Sequence, residues 1–173
     1  EYFRARGWAD DTVAPTGHRH LDRFCLDGTV PTWTYTLGDA LLEKQIWMEQ
    51  DANTTFVRYE LTRAREPVSL NTKVLVSHRN FHATTQANGW QMNVRETDDG
   101  VRIDAYDGAT PIHLRSAEGT LSPTHQWYHD FFLPVEAARG LDAHEDLLEV
   151  VAGGLGVRLQ YADCVHDVVG LEA

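Results

Sequence analysis

Nine histidines and 26 acidic side chains in 173 residues supply ample material for metal or acid–base chemistry, so their spacing comes first. His78 and His82 stand four apart in His78-Arg79-Asn80-Phe81-His82. On a helix that interval puts two imidazoles on one face, as in zinc proteases, but the glutamate of the HExxH pattern is missing. The segment follows an alternating stretch, and on a strand the two rings would lie about 13 Å apart, too far to share one ion. His125 and His129 repeat the interval across Trp127 and Tyr128 and read the same way, while His18-Arg19-His20 reads as a solvated loop. Cys25 and Cys164 show no CxxC or related spacing, which excludes a zinc knuckle and leaves two reduced, partly buried thiols as the plain reading. Neither a metal nor a cofactor is expected.

Carboxylates and aromatics are the other candidates. Glycoside hydrolysis uses two carboxyl groups about 5–9.5 Å apart. Glu136, Asp142, Glu145 and Asp146 gather around Arg139 in one short stretch. The plain reading is a structural corner, an arginine held by carboxylates with Gly140 supplying the turn. The sharper reading is contact with a ligand or a neighbouring domain. Trp33, Tyr35, Trp47, Trp90, Trp127 and Tyr128 could stack on the C–H face of a pyranose while nearby carboxylates or amides bind its hydroxyls. On strands, the plain reading of each is core. GxSxG, Walker and GxGxxG patterns are all missing. Spacing alone therefore yields no catalytic machine.

The elements that must position these residues carry a period of two. From Thr54 to Thr62 the side chains Thr55, Val57, Tyr59 and Leu61 alternate with Phe56, Arg58 and Glu60, as a half-buried strand requires. Val68, Leu70, Thr72, Val74 and Val76 predict one further strand, Trp90, Met92 and Val94 another, and Val101, Ile103 and Ala105 a third. Asp98-Asp99-Gly100 between the last two is a hairpin signal, because glycine tolerates the backbone a tight turn needs. Strands are also predicted over Trp33–Leu37, Leu41–Glu49, Pro111–Arg115, Gln126–Leu133 and Val157–Tyr161. One short helix is predicted over Ala143–Val151, with Asp142 as N-cap and Glu145 three residues on. The fold class is all-β, an antiparallel sandwich with at most one short helix. No repeat of propeller length is present. The chain reads as one domain, 1–173, whose weakly patterned ends suggest a piece of a larger protein.

Composition narrows the partners. Hydrophobic residues make up 42% and charged residues 24%, an ordinary globular balance that argues against disorder. Lys+Arg 15 against Asp+Glu 26 gives a formal charge of −11, which disfavours nucleic acid and anionic membranes. No apolar run approaches the roughly 20 residues of a membrane span, and no signal segment opens the chain. These features predict a soluble, cytoplasmic protein.

Three stretches in order resemble one known family. The first is Thr16-Gly17-His18-Arg19-His20-Leu21-Asp22-Arg23-Phe24 followed by Pro31-Thr32-Trp33-Thr34-Tyr35. The second runs Leu42-Glu43-Lys44-Gln45-Ile46-Trp47-Met48, Asn53-Thr54-Thr55, Val57-Arg58-Tyr59 and His78-Arg79-Asn80-Phe81-His82. The third joins Trp127-Tyr128, Phe131 and Glu136 to Arg139-Gly140-Leu141-Asp142 and Glu145-Asp146-Leu147. Together, over roughly residues 15–160, they resemble the N-terminal domain of bacterial and archaeal type glycogen debranching enzymes (amylo-α-1,6-glucosidases).

The resemblance implies a β-supersandwich domain packed against a C-terminal (α/α)6 barrel that holds the catalytic acids and removes α-1,6-linked glucosyl stubs by hydrolysis. It implies that this chain is a non-catalytic accessory domain, docking the barrel and contacting α-glucan such as glycogen or limit dextrin. Substrate contacts are then expected at Trp33, Tyr35, Arg79, His82, Trp127 and Tyr128, and interdomain contacts at Glu136, Arg139, Glu145 and Asp146. The surface that meets the barrel should be apolar, which predicts self-association of the chain alone. Two other readings stay open: an autonomous carbohydrate-binding module, and a mutarotase-like sugar enzyme with His82 and Glu136 transferring protons.

Overall fold

The computed structural model describes residues 6–7, 13–14, 16–79, 83–117, 119–151, 157–159 and 167–172. Strands β1 (Arg6–Gly7) and β2 (Val13–Ala14) form a small ribbon, and one 3-10 turn at Gly17–His20 leads into a meander. The meander comprises β3 (Leu21–Asp27), β4 (Val30–Leu37), β5 (Ala40–Met48) and β6 (Thr54–Arg63). Short strands β7 (Val68–Leu70) and β8 (Val74–Val76) follow, then β9 (Asn93–Thr97), β10 (Gly100–Asp104) and β11 (Ile112–Ser116). Last come β12 (Pro123–Phe132), helix α1 (Pro134–Ala138), β13 (His144–Val151), β14 (Val157–Leu159) and β15 (Asp167–Glu172).

The described strands pair antiparallel throughout, so the fold is all-β. The main sheet has eight strands in the order β3-β4-β5-β6-β15-β11-β10-β9. A three-stranded sheet, β12-β13-β8, and a ribbon of β14 with β7 form the other layer. Two apolar clusters fill the space between layers. One joins Val101, Ile103 and Leu114 of the main sheet to Val76, Leu148 and Val150 of the three-stranded sheet. The other joins Tyr35, Leu42 and Leu61 to Leu70 of the ribbon. Each cluster takes alternate residues from its strands, as a two-layer sandwich requires.

The β9–β10 hairpin is closed by Asp98-Asp99, with Thr97 opposite Gly100. Gly100 is required by a close approach: a Cβ there would lie 1.9 Å from the backbone oxygen of Leu114. At the other end of the main sheet, β3 is an edge strand whose Leu21, Phe24 and Leu26 are 40%, 54% and 62% exposed.

Several expectations need correction. Residues predicted as a helix over Ala143–Val151 form strand β13, whose Leu148, Val150 and Val151 are fully buried. The helix instead lies at Pro134–Ala138, where Pro134 occupies a first-turn position that costs no backbone hydrogen bond. The single strand predicted over Val68–Val76 breaks at Asn71-Thr72-Lys73 into β7 and β8, which join different sheets. Trp90 and Met92 precede β9 rather than forming it, and β3 and β15 were not expected. The strand predicted to Tyr161 is described only over Val157–Leu159. Cys25 is a half-buried free thiol on β3, and Cys164 lies outside the described residues.

Candidate functional site

Strand β13 reads His-Glu-Asp-Leu-Leu-Glu-Val-Val, and its three carboxylates are buried at 6%, 9% and 1% exposure for Glu145, Asp146 and Glu149. A buried carboxylate needs partners to offset its lost hydration, and each has them. Glu149 Oε2 takes the Lys73 ammonium at 2.7 Å and accepts the Tyr128 hydroxyl at 2.9 Å. Lys73 Nζ also donates to the Tyr128 oxygen at 2.7 Å and lies 5.3 Å from the ring centre. These bonds, from Glu149 first and then Tyr128, raise the lysine's pKa above its ordinary value. Glu145 Oε1 pairs with Arg79 Nε at 2.6 Å and accepts the Thr85 backbone N–H at 3.3 Å.

Asp146 sits at a β-bulge. Tyr128 pairs with Leu147 and Phe131 with Glu145, so His129 and Asp130 together oppose Asp146, and Asp130 takes the left-handed backbone that such an irregularity permits. The Asp146 carboxylate accepts the N–H of Ala87 at 2.9 Å and of Asp130 at 3.0 Å, and lies 3.0 Å from His129 Nδ1. Burial pushes its pKa up, but these bonds outweigh it and the net displacement is downward. One side chain thus ties the 83–87 loop to the bulge.

The neighbouring corner is partly as expected. Gly140, with φ +73°, makes the turn after α1, and Arg139 lies 3.6 Å from Glu136 across one helical turn. The other carboxylates turn away from Arg139. Glu145 pairs with Arg79, and Asp142 accepts the Thr84 hydroxyl at 2.7 Å and the His144 N–H at 3.2 Å. Hydrogen bonds from Thr84 and then His144 hold the Asp142 carboxyl below its ordinary value.

Five of the six expected substrate contacts fall in three places. Arg79 and Tyr128 belong to the β13 network just described. Trp127, one position along, turns to the core face: its indole N–H donates to the Trp90 carbonyl at 3.2 Å, and the two rings pack at 6.3 Å. Trp33 and Tyr35 lie on β4 within the second cluster, Tyr35 at 9% exposure and Trp33 half-buried against Phe24 at 5.3 Å. Lys44 projects between Trp33 and Tyr59, its Nζ 5.6 and 6.0 Å from their ring centres. Burial lowers the Lys44 pKa and raises that of Tyr59 to about 12, with Tyr35 adding to the latter. His82 lies outside the described residues. His78 follows β8 rather than continuing it and packs edge-on against Tyr106. Among the described residues no three His, Cys, Asp or Glu side chains are grouped to hold a metal ion, and no helix is long and apolar enough to cross a membrane.

One concavity involves none of the expected residues. A cleft of about 440 Å³ lies over β9 and β10, bordered by Gln91, Asn93, Arg95, Arg102, Asp104 and Tyr106. Tyr106, at 58% exposure, sits in a turn beside Asp107-Gly108, outside any alternating run, so no sequence pattern singles it out.

Comparison with curated proteins and with solved structures returns no match to the chain. Comparison with sequence families matches residues 3–165 to the family described as glycogen debranching enzyme N terminal. That match covers most of the 173 residues, and the antiparallel two-layer architecture agrees with the fold that the three sequence stretches implied. The chain belongs to the glycogen debranching enzyme N-terminal family.

Proposed function

We propose that this chain is a non-catalytic accessory domain of a cytoplasmic glycogen debranching enzyme (amylo-α-1,6-glucosidase), supporting the enzyme's C-terminal catalytic barrel and contacting α-glucan. The observation that carries the reading is the commitment of the β13 carboxylates. Glu145, Asp146 and Glu149 are each engaged by a cation, a ring nitrogen or backbone N–H groups of this same chain. A hydrolytic pair needs one carboxyl kept protonated as general acid, yet Asp146 is held below its ordinary pKa. These groups brace the middle strand of the three-stranded sheet rather than form a reacting centre.

The interdomain seam is assigned to the corner after β12. Glu136 and Arg139 lie at its surface, while Glu145 and Asp146 brace it from beneath through Arg79 and the 83–87 loop. Arg79, which is exposed, and Tyr128 on β12 and Trp33 on β4, which are half-buried, are the expected residues best placed to meet glucan.

Glucose release from branched limit dextrin tests the reading. The chain alone should release none, and adding it to a separately prepared catalytic barrel of the family should raise the barrel's rate or its thermal stability. Release by the chain alone, or a barrel indifferent to it, overturns the proposal.

A further inference from the structure

We propose that the cleft over β9 and β10 binds a neutral saccharide, with Tyr106 as its stacking platform and Asn93 and Gln91 reading the hydroxyls. The face is set by the strand period. Val94, Val101 and Ile103 fill the core, so Asn93, Arg95, Arg102 and Asp104 stand on the opposite side of the hairpin. Asn93 is directly across from Asp104, and Arg95 from Arg102.

Two guanidiniums facing each other would repel, and Asp104 reconciles them. Arg102 donates to its Oδ2 from Nε at 3.1 Å and to its Oδ1 from the terminal nitrogen at 2.7 Å, and Arg95 approaches at 3.2 Å. Such a bidentate fork is geometrically fixed. Both guanidiniums thus border the cleft with their charge already matched. With Asp107 also at the rim, the lining carries two positive and two negative groups and no net charge.

That balance selects the ligand class. An anion would compete with Asp104 for the arginines and would meet a chain of formal charge −11. A cation would face the same two arginines. A neutral polyhydroxylated ligand meets neither obstacle. Its hydroxyls both donate and accept, as do the amides of Gln91 and Asn93. Tyr106 completes the site: its ring stands 58% exposed and is steadied by the edge-on His78 ring at 5.2 Å and 84°. An aromatic face beside polar groups suits the C–H side of a pyranose, and a cleft of about 440 Å³ is within the usual range for small-molecule sites. The choice of an α-1,4-glucan as the particular saccharide rests on the function proposed above.

Titration calorimetry of the chain with maltoheptaose decides the matter. Saturable binding is expected, weakened at least about tenfold by Tyr106→Ala, largely kept by Tyr106→Phe, and reduced by Asn93→Ala. Binding should change little between low and high salt, because no charge is exchanged. Tyr106 and Asn93 are exposed, so circular dichroism and melting temperature of the variants should match the parent. Unchanged affinity in both alanine variants overturns the cleft while leaving glucan contact elsewhere on the chain. Absence of saturable heat from the folded parent chain overturns the cleft and the chain's glucan contact together.

Discussion

The two lysines of this chain, Lys44 and Lys73, both rest against aromatic rings, but only Lys73 neutralises a buried carboxylate. Glu149 is 1% exposed while the Lys73 side chain is 36% exposed, so the energetic stake lies with the glutamate. Lys73→Met should leave that charge, among the described residues, with the Tyr128 hydroxyl alone and destabilise the fold by about 3 kcal/mol. Adding Glu149→Gln should recover part of the loss, because the stranded charge is then gone. Urea unfolding of the two single variants and the double variant measures this coupling. Equal losses in the single and double variants would remove the ion pair from the account. At this scale the sequence was only half legible. The acidic character of residues 136–146 and the turn at Gly140 stand out from the types alone. The partners of Glu145 and Glu149 are Arg79 and Lys73, more than sixty positions upstream, and no local pattern links residues so far apart.

At the scale of elements, strand β13 departs most from its own local signals. Asp142, the Glu145 that follows and two leucines imitate a capped helix, and buried Asp and Glu are rare enough on strands to reinforce that reading. What overrides propensity is tertiary: three carboxylates find donors just before and after β8, on β12 and in the 83–87 loop, and Leu148 and Val150 fill the main core. Strand β10 was legible because Val101 and Ile103 are buried while Arg102 and Asp104 are only partly so, and β6 because apolar and polar types alternate along it. The edge strand β3 was not, since nearly every residue in it is exposed and alternation has nothing to record.

Asp146 gives β13 a pH dependence. Its folded pKa lies below the ordinary value of 3.8, which its carboxyl regains on unfolding. Its contribution is therefore complete above about pH 4 and is lost as the pH falls through the folded value. Asp142 acts with the same sign. Asp146→Asn should lower stability near pH 7 by about 2 kcal/mol, since one acceptor oxygen becomes a donor facing N–H groups. It should also flatten the acid side of the stability curve. Melting temperatures from pH 7 down to about pH 2.5 test this, and an unaltered acid slope in the variant would count against the assignment.

Over the whole molecule, strong negative charge and a local apolar edge act in opposition. A formal charge of −11 keeps like molecules apart, whereas β3, the outermost strand of its sheet among the described residues, presents Phe24 and Leu26 to solvent. Such an edge is a template for another strand or surface. The chain alone should therefore self-associate more as salt screens its charge, and Leu26→Lys should return it toward monomer at every ionic strength. Sedimentation velocity at low and high salt reads both effects; association that ignores the substitution would place the contact elsewhere.

The main sheet also has an order of assembly written into it. Strands β3 to β6 follow one another directly, as do β9 to β11, and among the described strands the two meanders are joined in the sheet by β15, which forms ladders with β6 on one side and β11 on the other. The strand that joins the halves is thus the last of the described strands to leave the ribosome. Until it arrives, each half waits with an open border, along β6 in one and β11 in the other. A nascent chain stalled before Asp167 would carry two unpaired ladders in a crowded cell, and it is these borders that a chaperone would have to shield.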